Sequence, residues 1–135
     1  MGTMSWRIRI DPADTLFSAY IRRRDKRCVR CGKVGAGPKG IDGLQCSHYF
    51  GRRKESTRFS PQNTDALCCG CHQHWGSTDR EAYRAFKVKQ LGKLGFDRLT
   101  LLANTYAKRD RKMALIVAKA LLASLDIEKP RIVVL

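Results

Sequence analysis

The sequence has no long apolar run. Stretches such as Ala114-Leu115-Ile116-Val117-Ala118 stop far short of the ~20 residues a membrane span needs. The N-terminus carries no apolar segment of the kind that opens a secretory signal, so the expected compartment is the cytosol. Acidic residues are scarce: Asp plus Glu is 12 against a Lys plus Arg total of 27, a formal net charge of +15. A field of that sign draws polyanions, of which nucleic acid is the commonest, with an inert basic surface as the plainer alternative. Internal repeats and low-complexity segments are absent too. What remains is a 135-residue chain of one-domain length with a modest core that a metal staple would help to hold. Six cysteines in a reducing compartment point to metal binding before disulfides.

Local signals order the chain. Asp11-Pro12-Ala13-Asp14 reads as a helix start, followed by Ala13, Leu16, Phe17, Tyr20 and Ile21 at helical spacing. Residues 32–43 hold five glycines and one proline and read as a loop. Leu44 to Phe50 fits a strand, and residues 55–64 read as irregular. A helix over about 79–91, capped by Asp79 or Ser77, is punctuated by Gly92 and Gly95. Two further helical patterns follow, one with Leu99, Leu102, Ala103 and Tyr106, the other with Met113, Ile116, Val117, Ala120 and Leu121. Residues 108–112 join them as a loop or as a solvated stretch of one helix. Residues 131–135 read as a short β-like tail.

Two Cys-x-x-Cys turns stand out, Cys28-Val29-Arg30-Cys31 and Cys68-Cys69-Gly70-Cys71. Each turn presents two thiolates on one side, and two turns close a tetrahedral zinc site. The expected ligands are Cys28, Cys31, Cys68 and Cys71, with 36 residues between Cys31 and Cys68. Cys46 and Cys69 are then small buried residues. An alternative pairs Cys69 with His72 as ligands.

Between and beside the turns lie His48, Asn63 and His72. Phosphodiester hydrolysis needs a base to activate water and a cation to hold the charge that builds on the phosphoryl and leaving oxygens. Histidine is the natural base at neutral pH. His48 falls at the end of the expected strand, beside Arg52, Arg53 and Lys54.

These residues resemble the HNH endonucleases of the ββα-metal fold. Within them, the stretch Leu44-Gln45-Cys46-Ser47-His48-Tyr49, then Ser56-Thr57-Arg58-Phe59, Asn63 and Cys68-Cys69-Gly70-Cys71-His72, is similar to the phage NinG (Rap) recombination nucleases. The likeness covers roughly residues 11–95. It implies an α+β fold with a small ββα-metal core stapled by a four-cysteine zinc site, an N-terminal helix before it and C-terminal helices after it. The division it suggests is a nuclease domain over 1–95 and a helical extension over 96–135 that packs on the core or dimerises. It implies His48 as general base and Asn63 as the residue that ties down the loop and orients His48. His72 would be the ligand of a catalytic magnesium or manganese ion. Arg58 is a candidate contact to the scissile phosphate, with an ordinary surface arginine as the alternative. The position before the base, where many HNH enzymes carry a second metal ligand, holds Ser47, a poor one. His74 is a further candidate ligand. Trp75 would pack against the zinc turn or stack on a base.

Arg22, Arg23, Arg24, Arg27 and Arg30 lead into the first cysteine turn, and Arg52, Arg53 and Lys54 follow His48. Clustering around the proposed site favours phosphate tracking. The expected activity is therefore metal-dependent DNA cleavage, with branched DNA, including Holliday junctions, as the substrate the resemblance implies. If the protein is phage-encoded, it works in the host cytoplasm. The alternative is a non-catalytic zinc module that binds nucleic acid.

Overall fold

In the computed structural model, which describes residues 9–127, the chain is an α+β protein with one small two-stranded sheet. Helix α1, Pro12–Asp25, begins at a proline whose fixed φ suits the first helical position. The Asp14 carboxylate accepts the Asp11 backbone N–H at 2.8 Å, closing the first turn. Ala13, Phe17 and Ile21 are buried along one stripe. The helix stops at Lys26, whose φ of 64° is left-handed. The glycine-rich loop that follows carries the first cysteine turn. A Cβ at Gly35 would lie 2.0 Å from the Gly40 carbonyl oxygen, so this close crossing admits only glycine.

Strand β1, Leu44–His48, pairs antiparallel with β2, Thr64–Cys68, in the register Leu44 opposite Cys68 and His48 opposite Thr64. The strand expected to run to Phe50 ends at His48, because the Asn63 side chain takes both backbone groups of Phe50. The stretch expected to be irregular over 55–64 contains a one-turn helix, α2, Glu55–Arg58, and a 3₁₀ turn at Pro61–Asn63. Single turns of this kind leave no periodic pattern to read.

Helix α3, Cys69–Gln73, follows β2 directly and passes into a π-helical turn over His74–Thr78. Helix α4, Arg80–Ala103, starts with the Asp79 side chain accepting the Ala82 N–H at 3.0 Å. Gly92, at φ 76° and ψ 161°, is far from helical geometry and kinks this segment into two helical pieces. The pattern around Leu99 belongs to the second piece, so the break expected at Gly92 is present. The chain stays out of helix over 105–110, and α5, Arg111–Ser124, begins with Asp110 accepting the Met113 N–H at 2.9 Å. The expected tail over 131–135 lies outside the described residues.

β2 is the centre of the core, with Thr64, Asp65, Ala66 and Leu67 all buried. Asp65 meets Lys87 of α4 in an ion pair at 3.0 Å, and both side chains are 0% exposed. The Asp65 carboxylate also accepts from Tyr83 at 3.0 Å and from Gln90 at 3.1 Å, so its lone pairs are satisfied by α4 alone. Trp75 stacks on Tyr83 with ring centroids 4.7 Å apart. α5 packs along α1, with Ala114 and Ala118 in one hydrophobic cluster with Phe17 and Ile21. Ion pairs join the two at both ends: Arg109 to Asp11 at 2.6 Å and Asp126 to Arg23 at 3.1 Å. The two helices therefore run in the same direction. Among the described residues, no helix is long and apolar enough to cross a membrane.

Candidate functional site

The two cysteine turns meet. The sulfurs of Cys28, Cys31, Cys68 and Cys71 all lie within 4.8 Å of one another, and Cys31 and Cys68 are 3.8 Å apart. A tetrahedron with zinc–sulfur bonds of about 2.3 Å has sulfur–sulfur edges of about 3.8 Å. The four can hold a metal ion of that size and preference. Backbone and side-chain donors already face the sulfurs: the Cys31 N–H is 3.5 Å from Cys28 Sγ, and Arg30 Nη1 donates to Cys71 Sγ at 3.2 Å. Arg30 also lies over the Trp75 ring, 6.0 Å from its centroid, so Trp75 packs behind the cysteine cluster. Cys69 stands outside the cluster, which removes the pairing of Cys69 with His72. It is exposed, against the expectation of burial. Cys46 is half-buried, and burial pushes its thiol up to about 12.

A second centre lies beside β1, where α1 and α3 approach it. His48, at the end of β1, and His72, in α3, line one cavity of about 610 Å³. Its walls include Asp14, Ser18 and Arg22 of α1, Gln45 and Cys46 of β1, and Arg52 of the loop beyond. His48 Nε2 donates to the Arg58 carbonyl oxygen at 2.9 Å. A carbonyl only accepts, so Nε2 carries the proton and Nδ1 keeps its lone pair. His72 Nδ1 is held in the same way by the Gln45 side-chain oxygen at 2.7 Å, which leaves Nε2 bare. Among the described residues, no buried side-chain nitrogen or oxygen lacks a partner. The bare nitrogen of each ring therefore reaches solvent.

The loop between the strands is held by Asn63, which is 0% exposed. Its Oδ1 accepts the Phe50 N–H at 2.8 Å, and its Nδ2 donates to the carbonyls of Phe50 at 2.9 Å and Thr57 at 3.1 Å. Its backbone carbonyl accepts the Tyr49 N–H at 2.8 Å. These bonds fix both ends of the segment that carries Arg52 and ends at Arg58.

Arg58 is corrected by the structure. It is neither a surface arginine nor free to grip a phosphate, being 2% exposed. Its Nε donates to Asp14 Oδ1 at 3.0 Å, its Nη2 donates to Asp14 Oδ2, and Nη1 lies 3.5 Å from Glu55. The fork pins the α2 turn to α1 and so fixes the carbonyl that His48 uses. Arg24 is likewise committed inward: it donates to Asp25, to the Pro61 carbonyl at 3.0 Å and to the Thr64 carbonyl at 2.8 Å. Arg30 is held by Cys71, Arg23 by Asp126, and the Lys54 ammonium donates to Asn104 at 3.0 Å. Arg27 and Arg53 are exposed away from the cavity lining. Of the basic residues expected to bind DNA, Arg22 and Arg52 flank the two histidines.

Ser47 is buried, and its hydroxyl is 3.0 Å from Tyr83 Oη, so it turns away from the cavity into the core. His74 does not line the cavity. Two contributors showed no sign of their role at the site in the one-dimensional pattern. Asp14 is readable as a helix-start residue, and its pairing with Arg58 spans 44 positions. Gln45 acts on a histidine 27 positions away, and only the placement of α3 against β1 brings them together.

Burial lowers the His48 imidazole to about 4, while the Arg58 carbonyl works in the opposite direction. His72 is also lowered by burial. Both rings are neutral at pH 7. The sign for stability follows: between about pH 6.5 and 4 the unfolded chain binds a proton at His48 that the folded chain does not, so stability falls as pH falls. At pH 5 the expected loss from this group is about 2 kcal/mol relative to pH 7. Urea denaturation of the parent and of His48→Gln at both pH values measures it. The parent should lose more than the variant by that amount, and an equal loss contradicts a buried neutral imidazole.

Comparisons with protein-family models, with curated proteins and with solved structures found no match to this chain.

Proposed function

We propose that this protein is a metal-dependent endonuclease that hydrolyses phosphodiester bonds in DNA, an HNH-type site on a zinc-stapled frame, working in the cytosol where thiols stay reduced. The observation that carries this reading is the shared cavity: two neutral imidazoles, each with one nitrogen capped by a carbonyl and the other open, between Arg22 and Arg52. The strand–loop–strand–helix order that supplies them, with Asn63 bracing the loop, supports the same reading.

In this mechanism Arg22 and Arg52 hold the phosphodiester against the cavity. His48 Nδ1 takes the proton from the attacking water, and the proton leaves through solvent after release. An imidazole at about 4 is a weak base, but an anionic phosphate beside it favours the protonated form and raises it toward neutrality. His72 Nε2 would be the protein ligand for a divalent ion. When bound, that ion offsets the charge on the phosphoryl and leaving oxygens. With one open imidazole nitrogen from the protein, water and substrate phosphate would have to complete the shell of such an ion. Asp14 is the carboxylate on the cavity wall, and both of its oxygens are engaged by Arg58. A lone imidazole suits manganese better than magnesium. The structural ion at Cys28, Cys31, Cys68 and Cys71 is proposed to be zinc, which four thiolates in a tetrahedron favour.

The test is cleavage of supercoiled plasmid and of four-way-junction DNA by the zinc-loaded protein, with manganese or magnesium added. Nicked and linear products are expected, faster with manganese. DNA binding should weaken steeply with salt, by about 10-fold or more between about 50 and 200 mM, for a protein contacting several phosphates. Preference for the junction would support branched DNA as the substrate. A non-catalytic zinc module that binds nucleic acid is favoured by the lack of a free carboxylate in the cavity. Salt-sensitive binding with no cleavage under any divalent ion would establish that reading instead.

A further inference from the structure

The histidine proposed to hold the divalent ion sits on a five-residue helix and is half-buried, and its ring is held by one side chain. That partner is the Gln45 amide oxygen, 2.7 Å from Nδ1. A free imidazole in water exchanges its proton between the two nitrogens and can flip about its ring bond. A neutral oxygen acceptor at hydrogen-bond distance from Nδ1 removes both freedoms: Nδ1 must donate, and the ring cannot turn Nε2 away without losing the bond. Gln45 is rooted in β1, opposite Leu67 of β2, and α3 starts one residue after that strand ends. The acceptor and the ring are therefore mounted on adjoining elements, with the hydrogen bond between them at the surface.

We propose that Gln45 is a positioning residue for metal binding: its side-chain carbonyl fixes His72 as the Nδ1–H tautomer and presents Nε2 as the ligating atom. This inference rests on the proposed function, since it deepens the role given there to His72. An uncharged acceptor orients the ring without adding a charge to a cavity that must admit a phosphate. A carboxylate at the same place would make the imidazole a stronger donor to the ion. That difference separates orientation by hydrogen bonding from simple packing, because leucine and glutamate both fill the space of glutamine.

The experiment uses the zinc-loaded full chain and has two readouts that do not depend on cleavage. The first is ¹⁵N NMR of the His72 ring in the absence of added manganese. The parent should show protonated Nδ1 and unprotonated Nε2, and Gln45→Leu should show a tautomer mixture. The second is manganese binding followed by electron paramagnetic resonance. His72→Ala should abolish the binding that depends on this site, Gln45→Leu should weaken it about 10-fold or more, and Gln45→Glu should match or exceed the parent. Thermal melts of the zinc-loaded variants check that the fold is kept. If Gln45→Leu fails to fold, the parent's ring tautomer together with Gln45→Glu still decides the matter. His72-dependent binding that is unchanged in Gln45→Leu would overturn the role of Gln45 and leave His72 as ligand. A parent that binds no manganese through His72 would overturn both.

Discussion

Replacing Cys71 with serine is expected to unfold the protein, and stripping the metal with a chelator should do the same to the parent. The reasoning starts from the size of the core. A chain of this length has a net stability of roughly 5–15 kcal/mol, whereas a four-thiolate zinc site contributes an apparent ~10–16 kcal/mol to folding. The four sulfurs also connect the segment after α1 to the end of β2 and the start of α3, beside the hydrogen bond from the Val29 N–H to the Ala66 carbonyl. The first turn sits on a glycine-rich loop, which is exposed over Cys31–Val34. The second closes β2 and opens α3. Cys71 is itself buried and accepts from Arg30, so losing it leaves a guanidinium and three sulfurs without their common centre. Far-UV circular dichroism should show loss of helix in Cys71→Ser and in the chelated parent, with return of signal in the parent on adding zinc. Cys69→Ser is the control. Its sulfur is exposed and outside the cluster, so its melting temperature should stay within a few degrees of the parent. Unfolding of the control together with tolerance of Cys71→Ser would mean that the ligand set has been misassigned.

Much of this frame is legible in the sequence because the relevant signals are local. A Cys-x-x-Cys turn fixes two sulfurs within four residues, and two such turns need only meet. Asp11 and Pro12 announce α1, and Asp79 announces α4, because capping depends on the adjoining turn. The failures are all non-local or sub-periodic. Arg58 sits in a polar stretch and reads as a surface cation, yet Asp14 and Glu55 enclose it from two elements. Arg24 lies in an arginine run that suggests a phosphate track, and it is spent on carbonyls of the 61–64 segment. Charge runs show how much charge there is but not which heads are consumed inside the fold. Lys87 makes the same point: a lysine in an amphipathic helix is 0% exposed because Asp65, 22 positions earlier, waits beneath it. Ser47 reads in the sequence as a missing ligand, and in the structure it belongs to the Tyr83 network on the opposite side of the strand.

His48→Ala should lower the rate of DNA cleavage by about 10²–10⁴-fold while leaving DNA binding at pH 7 close to that of the parent, and it should lower the melting temperature, since the Arg58 carbonyl loses its donor and Phe17 a packing partner. The size follows from the role. Removing a positioned base leaves water to lose its proton to bulk solvent, whereas Arg22, Arg52 and the His72 ion site still engage the phosphate. The small effect on binding follows from position, since the open nitrogen of His48 contacts solvent and not a structural partner. His48→Gln sharpens the test. A glutamine amide can donate to the Arg58 carbonyl as Nε2 does, yet it offers no basic nitrogen toward the cavity. If the histidine acts only by bracing the Arg58 carbonyl, His48→Gln should cleave nearly as well as the parent. If it acts as the base, His48→Gln should be as slow as His48→Ala. A third variant connects the base to the ion pair behind it. Arg58→Met removes the fork to Asp14 while keeping the backbone carbonyl, so its loss of rate should be smaller than that of His48→Ala and should come with a lower melting temperature. Rates for all four proteins on one plasmid substrate, set beside their melts, separate proton transfer at His48 from the scaffold that aims it.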